Sequence, residues 1–347
     1  MSRFLFLLLW FLLSAQQSGL GQTQSTETRP AKIDAAVQVR REKIFPVLGS
    51  TPPDKGAGMI KYCLNFSHIE AWPPIVPFDC LRLFWNGGDG WADINTASGV
   101  YNWVGMDKWL STYGKDVMYT FGRTPTWAGG GLDFKGPPSD VDTSDAIWKA
   151  FVTALVTRYK GKIVAYGIWN EPDIAWHGTP AQMVTMARDA YKIIHAIDPA
   201  AKVISPEPST SNQFGVHFLP AYYAAGGAPY QDIVGCHFYL NDGRKRPRTP
   251  NGFLQTSITS LKTLMHKYGL DAQPIWFTEG GWGQESDFTP PLTDAERSAW
   301  VTDAYRIMTA AGVERAYWYA CDNQRWGTLQ TNGVLTAAGV AFRDIQK

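Results

Sequence analysis

Eight short apolar runs recur along the chain, and amphipathic helical patterns separate them. The runs are rich in Val, Ile, Tyr, Phe and Trp, a composition typical of strands buried in a parallel sheet. Strand–helix alternation repeated eight times predicts a closed α/β barrel, the (β/α)8 TIM barrel, rather than an open doubly wound sheet. The predicted strands are Met59–Phe66, Cys80–Trp85, Asp116–Gly122, Ile163–Asn170, Ala201–Pro206, Asp232–Tyr239, Pro274–Glu279 and Arg315–Cys321.

Several of the helices between these runs have recognisable ends. Thr179 and Gln182 have the spacing of a capping box, with a proline at the first helical position between them. Thr293 and Glu296 repeat the box before a second helix. The predicted helices are Ser144–Tyr159, Met183–Ile197, Leu254–Tyr268 and Arg297–Ala311.

The N-terminus has the layout of a secretory signal peptide. One positive charge, Arg3, precedes the apolar run Phe4–Leu13, and small residues then allow cleavage after Ala15 or Gly21. A membrane span needs roughly 20 apolar residues, so an uncleaved anchor is the less favoured alternative. We therefore expect a secreted or periplasmic protein with a signal peptide over 1–21, a flexible polar leader over 22–43 and one domain over 44–347.

Composition argues against two kinds of site. A net charge of +1 leaves no basic surplus to neutralise phosphates, which argues against nucleic acid as a partner.

The cysteines lack metal-binding spacings such as C-x-x-C and lie in or beside apolar runs, where cysteine usually behaves as a small buried hydrophobe. Free buried thiols are the favoured interpretation, and a Cys63–Cys80 bridge is the alternative. The four cysteines are Cys63, Cys80, Cys236 and Cys321.

Two of the predicted strands end in a glutamate. The fourth ends in Trp169-Asn170-Glu171-Pro172 and the seventh in Phe277-Thr278-Glu279-Gly280. Active sites of this fold lie at the C-terminal ends of the strands. A single glutamate there is more often a helix cap or a salt bridge. Two on opposite walls of one barrel mouth fit glycoside hydrolysis, which needs one protonated and one ionised carboxyl group, about 5–5.5 Å apart for retention.

These motifs resemble the signature of the clan A glycoside hydrolases. The resemblance implies that Glu171 is the acid/base, protonated in the free protein, and that Glu279 is the ionised nucleophile. It covers nearly all of residues 60–325 and implies net retention, no metal and no organic cofactor. Four further segments narrow it to the family 39 group, which includes β-xylosidases and bacterial exopolysaccharide hydrolases. They are Trp85-Asn86-Gly87, Trp91-Ala92-Asp93-Ile94, Gly99-Val100-Tyr101-Asn102-Trp103 and Thr124-Pro125-Thr126-Trp127-Ala128.

Polar residues on the strands are candidates for supporting roles. His237 and Tyr239 are two residues apart and share one face of the sixth strand. The resemblance implies that the Tyr239 hydroxyl holds the nucleophile, whereas His237 fits substrate binding and a core position equally well. A guanidinium in an apolar run, Arg82, needs a carboxylate partner, and the clan has an arginine beside the nucleophile. Asn170 resembles the donor to the sugar 2-hydroxyl, and Glu207 is a weaker candidate for a subsite hydrogen bond.

Aromatic residues near strand ends are candidates for stacking on sugar rings. Trp85 ends a predicted strand, and Trp127 and Trp282 follow predicted strand ends. Trp318 resembles the sugar platform of the clan, which also implies a cis peptide between Trp318 and Tyr319.

The substrate is predicted only as a class. The partner is a carbohydrate, and the basic run Arg244–Arg248 would suit an anionic sugar, although a solvated loop is the favoured interpretation of that run. A transglycosylase would use the same two glutamates and stays open. A carbohydrate-binding pseudo-enzyme is disfavoured because both glutamates and Asn170 are present. An aldolase-like barrel would need a lysine or a metal cluster at the strand ends, and the predicted strands end in neither.

Overall fold

The computed structural model describes residues 59–65, 74–85, 87–113, 116–209, 218–239, 248–323 and 325–347. All of them fall within one unit of the chain, Pro53–Lys347. The predicted signal peptide, the leader and Arg244–Pro247 lie outside the described residues. No helix among the described residues is long and apolar enough to cross a membrane.

The structure confirms the predicted barrel, which consists of eight parallel strands. Neighbouring strands pair in the order β5-β4-β3-β2-β1-β8-β7-β6. The barrel closes between β5 and β6, where Ile204 and Ile233 form a parallel bridge and Ser205 N donates to Ile233 O at 3.0 Å. The strands are β1 (Lys61–Asn65), β2 (Cys80–Leu83), β3 (Val117–Thr120), β4 (Ile163–Gly167), β5 (Lys202–Ile204), β6 (Val234–His237), β7 (Ile275–Gly280) and β8 (Val313–Trp318). A small antiparallel pair, β9 (Gln330–Thr331) and β10 (Val334–Leu335), follows the barrel.

Helices lie between the strands, and the four predicted helices are all present. Both predicted capping boxes form, at Thr179 with Gln182 and at Thr293 with Glu296. The helices are α1 (Trp91–Ile94), α2 (Val104–Tyr113), α3 (Ala146–Arg158), α4 (Pro172–Ala175), α5 (Pro180–Ile197), α6 (Phe218–Ala224), α7 (Asn251–Lys267), α8 (Asp294–Ala310) and α9 (Ala337–Asp344).

The core has two parts because side chains alternate between the two faces of each strand. One face of every strand packs against the helices and builds the larger core. The other face points into the barrel, where a smaller apolar cluster fills the interior. Above that cluster, toward the C-terminal ends of the strands, the next interior positions on β1, β2 and β3 are polar. The interior cluster consists of Cys63, Cys80, Met118, Ala165, Ile204, Ile233, Trp276 and Tyr317.

The structure corrects the expectation of four free thiols. Cys63 and Cys80 are paired in register on β1 and β2, with their Cα atoms 4.5 Å apart, and they form a disulfide. That separation is within the range that disulfides span. Cys236 and Cys321 are free and buried, as expected. The register of β1 against β2 brings the first two cysteines together, and sequence spacing alone does not reveal register.

The capping box of α8 gives a test of how the barrel helices are held. Thr293→Ala removes the hydroxyl that accepts from Glu296 N at 3.2 Å, and we expect it to lower the free energy of unfolding by about 1 kcal/mol. Urea denaturation measures this change. Thr302→Ala is the control, because Thr302 is exposed on the same helix and bonds only to the carbonyl of Ser298 among the described contacts. Equal losses in both variants would contradict a specific capping role.

Candidate active site

A layer of polar side chains lies directly above the apolar interior of the barrel. Arg82 stands two residues after Cys80 on β2, so both point inward and Arg82 lies nearer the mouth. The same step leads from Met118 to Thr120 on β3 and from Cys63 to Asn65 on β1. Alternation thus places Asn65, Arg82 and Thr120 at the barrel mouth, whereas register shifts beside β7 accompany the inward turn of Glu279.

Arg82 is the centre of this layer. It is 1% exposed, and the ring of Phe84 packs 4.3 Å from its Cζ atom. Two of its partners are carboxylates and three are neutral oxygens, so the guanidinium has a partner in every direction in which it can donate. It donates to Thr120 Oγ1 (3.0 Å), Asn65 Oδ1 (3.2 Å), Glu279 Oε2 (2.7 Å), Asn170 Oδ1 (2.5 Å) and Glu207 Oε2 (2.8 Å).

Glu279 is held through both of its carboxylate oxygens. Arg82 binds Oε2, and the hydroxyl of Tyr239 donates to Oε1 at 2.9 Å. Burial raises the pKa of Glu279 above its ordinary value, and the negative charge of Glu171 adds to this, while His237 and Arg82 oppose it. The two fixed hydrogen bonds orient the carboxylate and stabilise its ionised form.

Glu171 reaches the mouth through an unusual backbone conformation. Its φ of 45° and ψ of 57° lie in the left-handed region, which costs energy for a residue with a side chain. The backbone N–H of Glu171 donates to Glu207 O at 2.9 Å, and Pro172 then begins α4. The side chain is 19% exposed, against 8% for that of Glu279. Glu171 is therefore the more accessible of the two carboxyl groups.

The two glutamates face each other at close range. One oxygen of Glu171, one oxygen of Glu279 and one nitrogen of His237 all lie within 4.8 Å of one another. Retaining glycosidases separate their carboxyl groups by about 5–5.5 Å and inverting ones by about 6.5–9.5 Å. The same three groups could also hold a divalent cation, but Arg82 already contacts Glu279 and His237 already contacts Glu171, so both carboxyl groups have a partner within the protein.

His237 lies between Glu171 and Glu279 and shares a proton with Glu171. It is fully buried, with Nδ1 3.1 Å from Glu171 Oε1 and Nε2 3.8 Å from Glu279 Oε2. Burial by itself lowers the pKa of His237, but Glu279, Glu171 and Glu207 outweigh it and raise the pKa to about 9. Burial also opposes ionisation of Glu171, yet the contact with His237 lowers its pKa. These opposite shifts favour the proton of this pair on the imidazole, whereas the sequence motifs predict it on Glu171.

The structure brings the predicted polar residues together, but not all the predicted tryptophans. Trp127 is 38% exposed and donates from Nε1 to Asn95 O at 2.8 Å, and Trp85 is half-buried. Trp282 and Trp318 are fully buried, with their rings in edge contact at 5.6 Å. Neither presents a face to a sugar, so their assignment as stacking residues is wrong in this structure. On β8, Tyr317 points into the barrel, and Trp318 therefore points to the helix layer.

Two aromatic residues that the sequence analysis missed lie beside the site. The ring of Tyr319 is 6.3 Å and that of Trp326 5.3 Å from the ring of Tyr239, and both are half-buried. Strand parity from Tyr317 would have identified Tyr319 as inward-facing. The non-proline cis peptide also lies one bond later than predicted, between Tyr319 and Ala320.

Three other carboxyl groups, those of Glu207, Glu285 and Asp89, lie buried or paired within the protein. Glu207 is fully buried and does not reach a subsite, contrary to expectation. Glu285 accepts from Trp282 and binds Arg297 at 3.0 Å. Asp89 is 1% exposed, and burial raises its pKa to about 7 while the backbone of Gly87 opposes the shift.

Comparison with known proteins identifies the fold. No family model matches the chain, and no curated protein matches it. The GH39 enzyme from Xanthomonas axonopodis pv. citri is similar in structure, with a TM-score of 0.64 and 16% identity over 84% of this chain and 67% of that one. A family 39 glycoside hydrolase from the gut symbiont Bacteroides cellulosilyticus WH2 matches with a TM-score of 0.58 and 17% identity, over 76% of this chain and 58% of that one. A glucosidase from Croceicoccus marinus matches with a TM-score of 0.57 and 17% identity, over 76% of this chain and 60% of that one.

The chain thus spans about three fifths of the length of the last two enzymes. At these identities the likeness shows a shared barrel fold. It agrees with the resemblance to clan A and to the family 39 group that the sequence motifs carry.

The role of Arg82 predicts a pH-dependent loss of stability. Arg82→Met leaves Glu207 and Glu279 buried without their cation, which should cost about 3–5 kcal/mol at pH 7. Burial opposes ionisation of Glu207, yet Arg82 and His237 hold its pKa below the ordinary value. The ion pair with Arg82 therefore stabilises the fold at pH values above the pKa that Glu207 has in the unfolded chain. This stabilisation is lost as the pH falls through the pKa of Glu207 in the folded protein. Chemical denaturation at pH 7 and pH 4 should show the larger loss at pH 7.

The control for this variant is Arg158→Met. Arg158 forms an exposed ion pair with Asp107 at 2.6 Å, and such pairs contribute at most about 1 kcal/mol. A loss in Arg82→Met that is no larger than the control loss would contradict the central role of Arg82.

Proposed function

We propose that the protein is a retaining glycoside hydrolase of clan A, most like the family 39 group, that cleaves O-glycosidic bonds of a β-linked oligo- or polysaccharide. The observation that carries this proposal is the close approach of Glu171 and Glu279, with oxygens within 4.8 Å, at the mouth of a β/α barrel. Neighbours of the same fold include enzymes described as glycoside hydrolases.

The first step uses Glu279 as the nucleophile. Arg82 and Tyr239 hold its two oxygens, so the carboxylate is ionised and fixed when it attacks the anomeric carbon. Glu171 protonates the leaving oxygen, and the glycosidic bond breaks as the bond to Glu279 forms. Asn170, whose Oδ1 is held by Arg82, keeps its amide Nδ2 to donate to the sugar 2-hydroxyl.

The second step reverses the proton transfer. Glu171 takes a proton from water, the hydroxide attacks the anomeric carbon, and Glu279 leaves as a carboxylate. Two displacements on one carbon give net retention. A transglycosylase would run the same step with a sugar hydroxyl in place of water. Product analysis with and without an added sugar acceptor distinguishes the two activities.

The half-buried and exposed aromatics at the mouth are proposed to bind the sugar. Tyr319 and Trp326 flank Tyr239, and Trp85 and Trp127 lie in the segments that follow β2 and β3. Arg248, the last residue of the basic run, binds Glu296 at 2.6 Å and so is engaged within the protein. Assays on aryl glycosides and on neutral and anionic polysaccharides test the substrate class.

We also propose that residues 1–21 direct export and are removed, and that 44–347 form the catalytic domain. The apolar run behind Arg3 supports the first proposal. The intact mass of the protein recovered from an exporting host tests it, since a retained N-terminus would contradict cleavage.

The two glutamates should respond differently to removal. Glu279→Ala should lose essentially all turnover, because no covalent intermediate can form. Glu171→Ala should retain the first step on substrates with good leaving groups, accumulate the glycosyl-enzyme and recover turnover when azide is added. The released β-glycosyl azide is identified by NMR. Near wild-type rates for Glu279→Ala on the natural substrate would rule out the assignment.

The pH profile of kcat/KM should be bell-shaped. Activity falls on the acid side as Glu279 takes up a proton, above the ordinary glutamate value because burial raises its pKa. It falls on the alkaline side as the pair of Glu171 and His237 loses its proton, near pH 9. The profile therefore extends farther into the alkaline range than a lone acidic glutamate would allow. Activity that still rises above pH 10 would contradict this assignment.

A further inference from the structure

A third carboxylate lies inside the barrel, beneath the two proposed catalytic ones. Glu207 follows β5 and is fully buried, with its carboxylate over Gly167 of β4 and its Cγ beside Gly235 of β6. A Cβ atom at position 167 would overlap Glu207 Oε1, and one at position 235 would lie 3.2 Å from Glu207 Cγ. Gly167 therefore makes room for a charged group where barrel interiors usually hold bulky apolar side chains, and Gly235 makes room first for Ile204 and then for the stem of Glu207.

Glu207 contacts the charged groups of the site but has no access to the substrate. Its Oε2 accepts from Arg82 at 2.8 Å and lies 3.9 Å from His237 Nε2. Its Oε1 accepts from Thr120 at 2.9 Å. With no exposed surface, Glu207 acts only through these neighbours.

Carboxyl groups outnumber cationic groups in this cluster. Three carboxylates, those of Glu171, Glu207 and Glu279, face a single guanidinium, that of Arg82. Buried charges are costly unless they are paired, so the site needs a second cation. The imidazole of His237 lies within 4 Å of all three carboxylates, at 3.1, 3.9 and 3.8 Å respectively.

We propose that Glu207 is a positioning residue that keeps His237 protonated and so keeps the acid proton within reach of Glu171. The proposal rests on the proposed glycosidase function. In the first step Glu171 takes a proton from His237 Nδ1, 3.1 Å away, and gives it to the leaving oxygen. In the second step the proton from water passes to Glu171 and returns to Nδ1. Protons therefore balance over one turnover.

The surroundings of His237 support this role. Burial lowers the pKa of His237, while Glu279, Glu171 and Glu207 raise it to about 9. Burial likewise opposes ionisation of Glu207, but Arg82 and His237 hold its pKa below the ordinary value. The titratable and charged groups that face His237 or Glu207 are Arg82, Glu171, Asp173, Cys236, Tyr239, Glu279 and Tyr317.

The test is Glu207→Gln, which keeps the shape of the side chain and removes its charge. A carboxylate within about 4–6 Å shifts a neighbouring pKa by 1–3 units. We therefore expect the alkaline limb of kcat/KM to move down by at least about 1 pH unit. The 15N NMR titration of His237, identified by its absence in His237→Gln, should move by the same amount. Glu285→Gln is the control, because Glu285 pairs with Arg297, and it should leave both values in place.

The outcomes separate the proposal from its alternatives. A lower kcat in Glu207→Gln with an unmoved alkaline limb and an unmoved His237 titration would show a merely structural role and overturn the proposal. If that variant does not fold, the 15N titration of His237 in the wild-type protein still tests the proposal, because His237 should be protonated at pH 7. Wild-type His237 that is neutral at pH 7 would also overturn it.

The NMR titration needs no substrate. A protein without glycosidase activity in which His237 still responds to Glu207→Gln would contradict the proposed function and leave the electrostatic role of Glu207 standing. A glycosidase in which the titration of His237 does not respond to Glu207→Gln would support the proposed function and contradict the electrostatic role of Glu207.

Discussion

The guanidinium of Arg82 is the contact on which the mouth of the barrel depends. It bridges Glu279 and Glu207 at 2.7 and 2.8 Å and also binds Asn65, Thr120 and Asn170. Removing one partner of a buried ion pair leaves an unpaired charge in a low-dielectric interior, which is far more costly than losing a surface pair. Side chains from five strands or strand ends therefore converge on one cation, and their geometry is fixed together.

Beneath this cation the barrel interior is apolar and linked by the Cys63–Cys80 disulfide. The polar layer therefore lies directly on a packed apolar cluster, which leaves its charged side chains little room to move. His237 completes the layer by contacting all three glutamates. The protonation states of these groups are therefore coupled, and titration of one member changes the pKa values of the others.

Local patterns were enough to predict the barrel, its helix caps and the positions of Glu171 and Glu279. Period-two alternation also placed His237 and Tyr239 on one face of the sixth strand, and its position in an apolar run marked Arg82 as the partner of a carboxylate. The failures came from contacts between strands. Register decided that Cys63 meets Cys80, and the inward turn of Tyr317 decided that Trp318 is buried. The depth of Glu207 depends on glycines on neighbouring strands, which a single strand's pattern does not show.

The central claim is that Glu279 attacks the anomeric carbon on the face opposite the leaving group, and that water later attacks on the face from which the leaving group departed. Proton NMR of the first anomer released from the best β-glycoside tests this most directly, before mutarotation mixes the products. We predict that the β anomer appears first. Initial release of the α anomer would show a single inverting displacement and contradict the account.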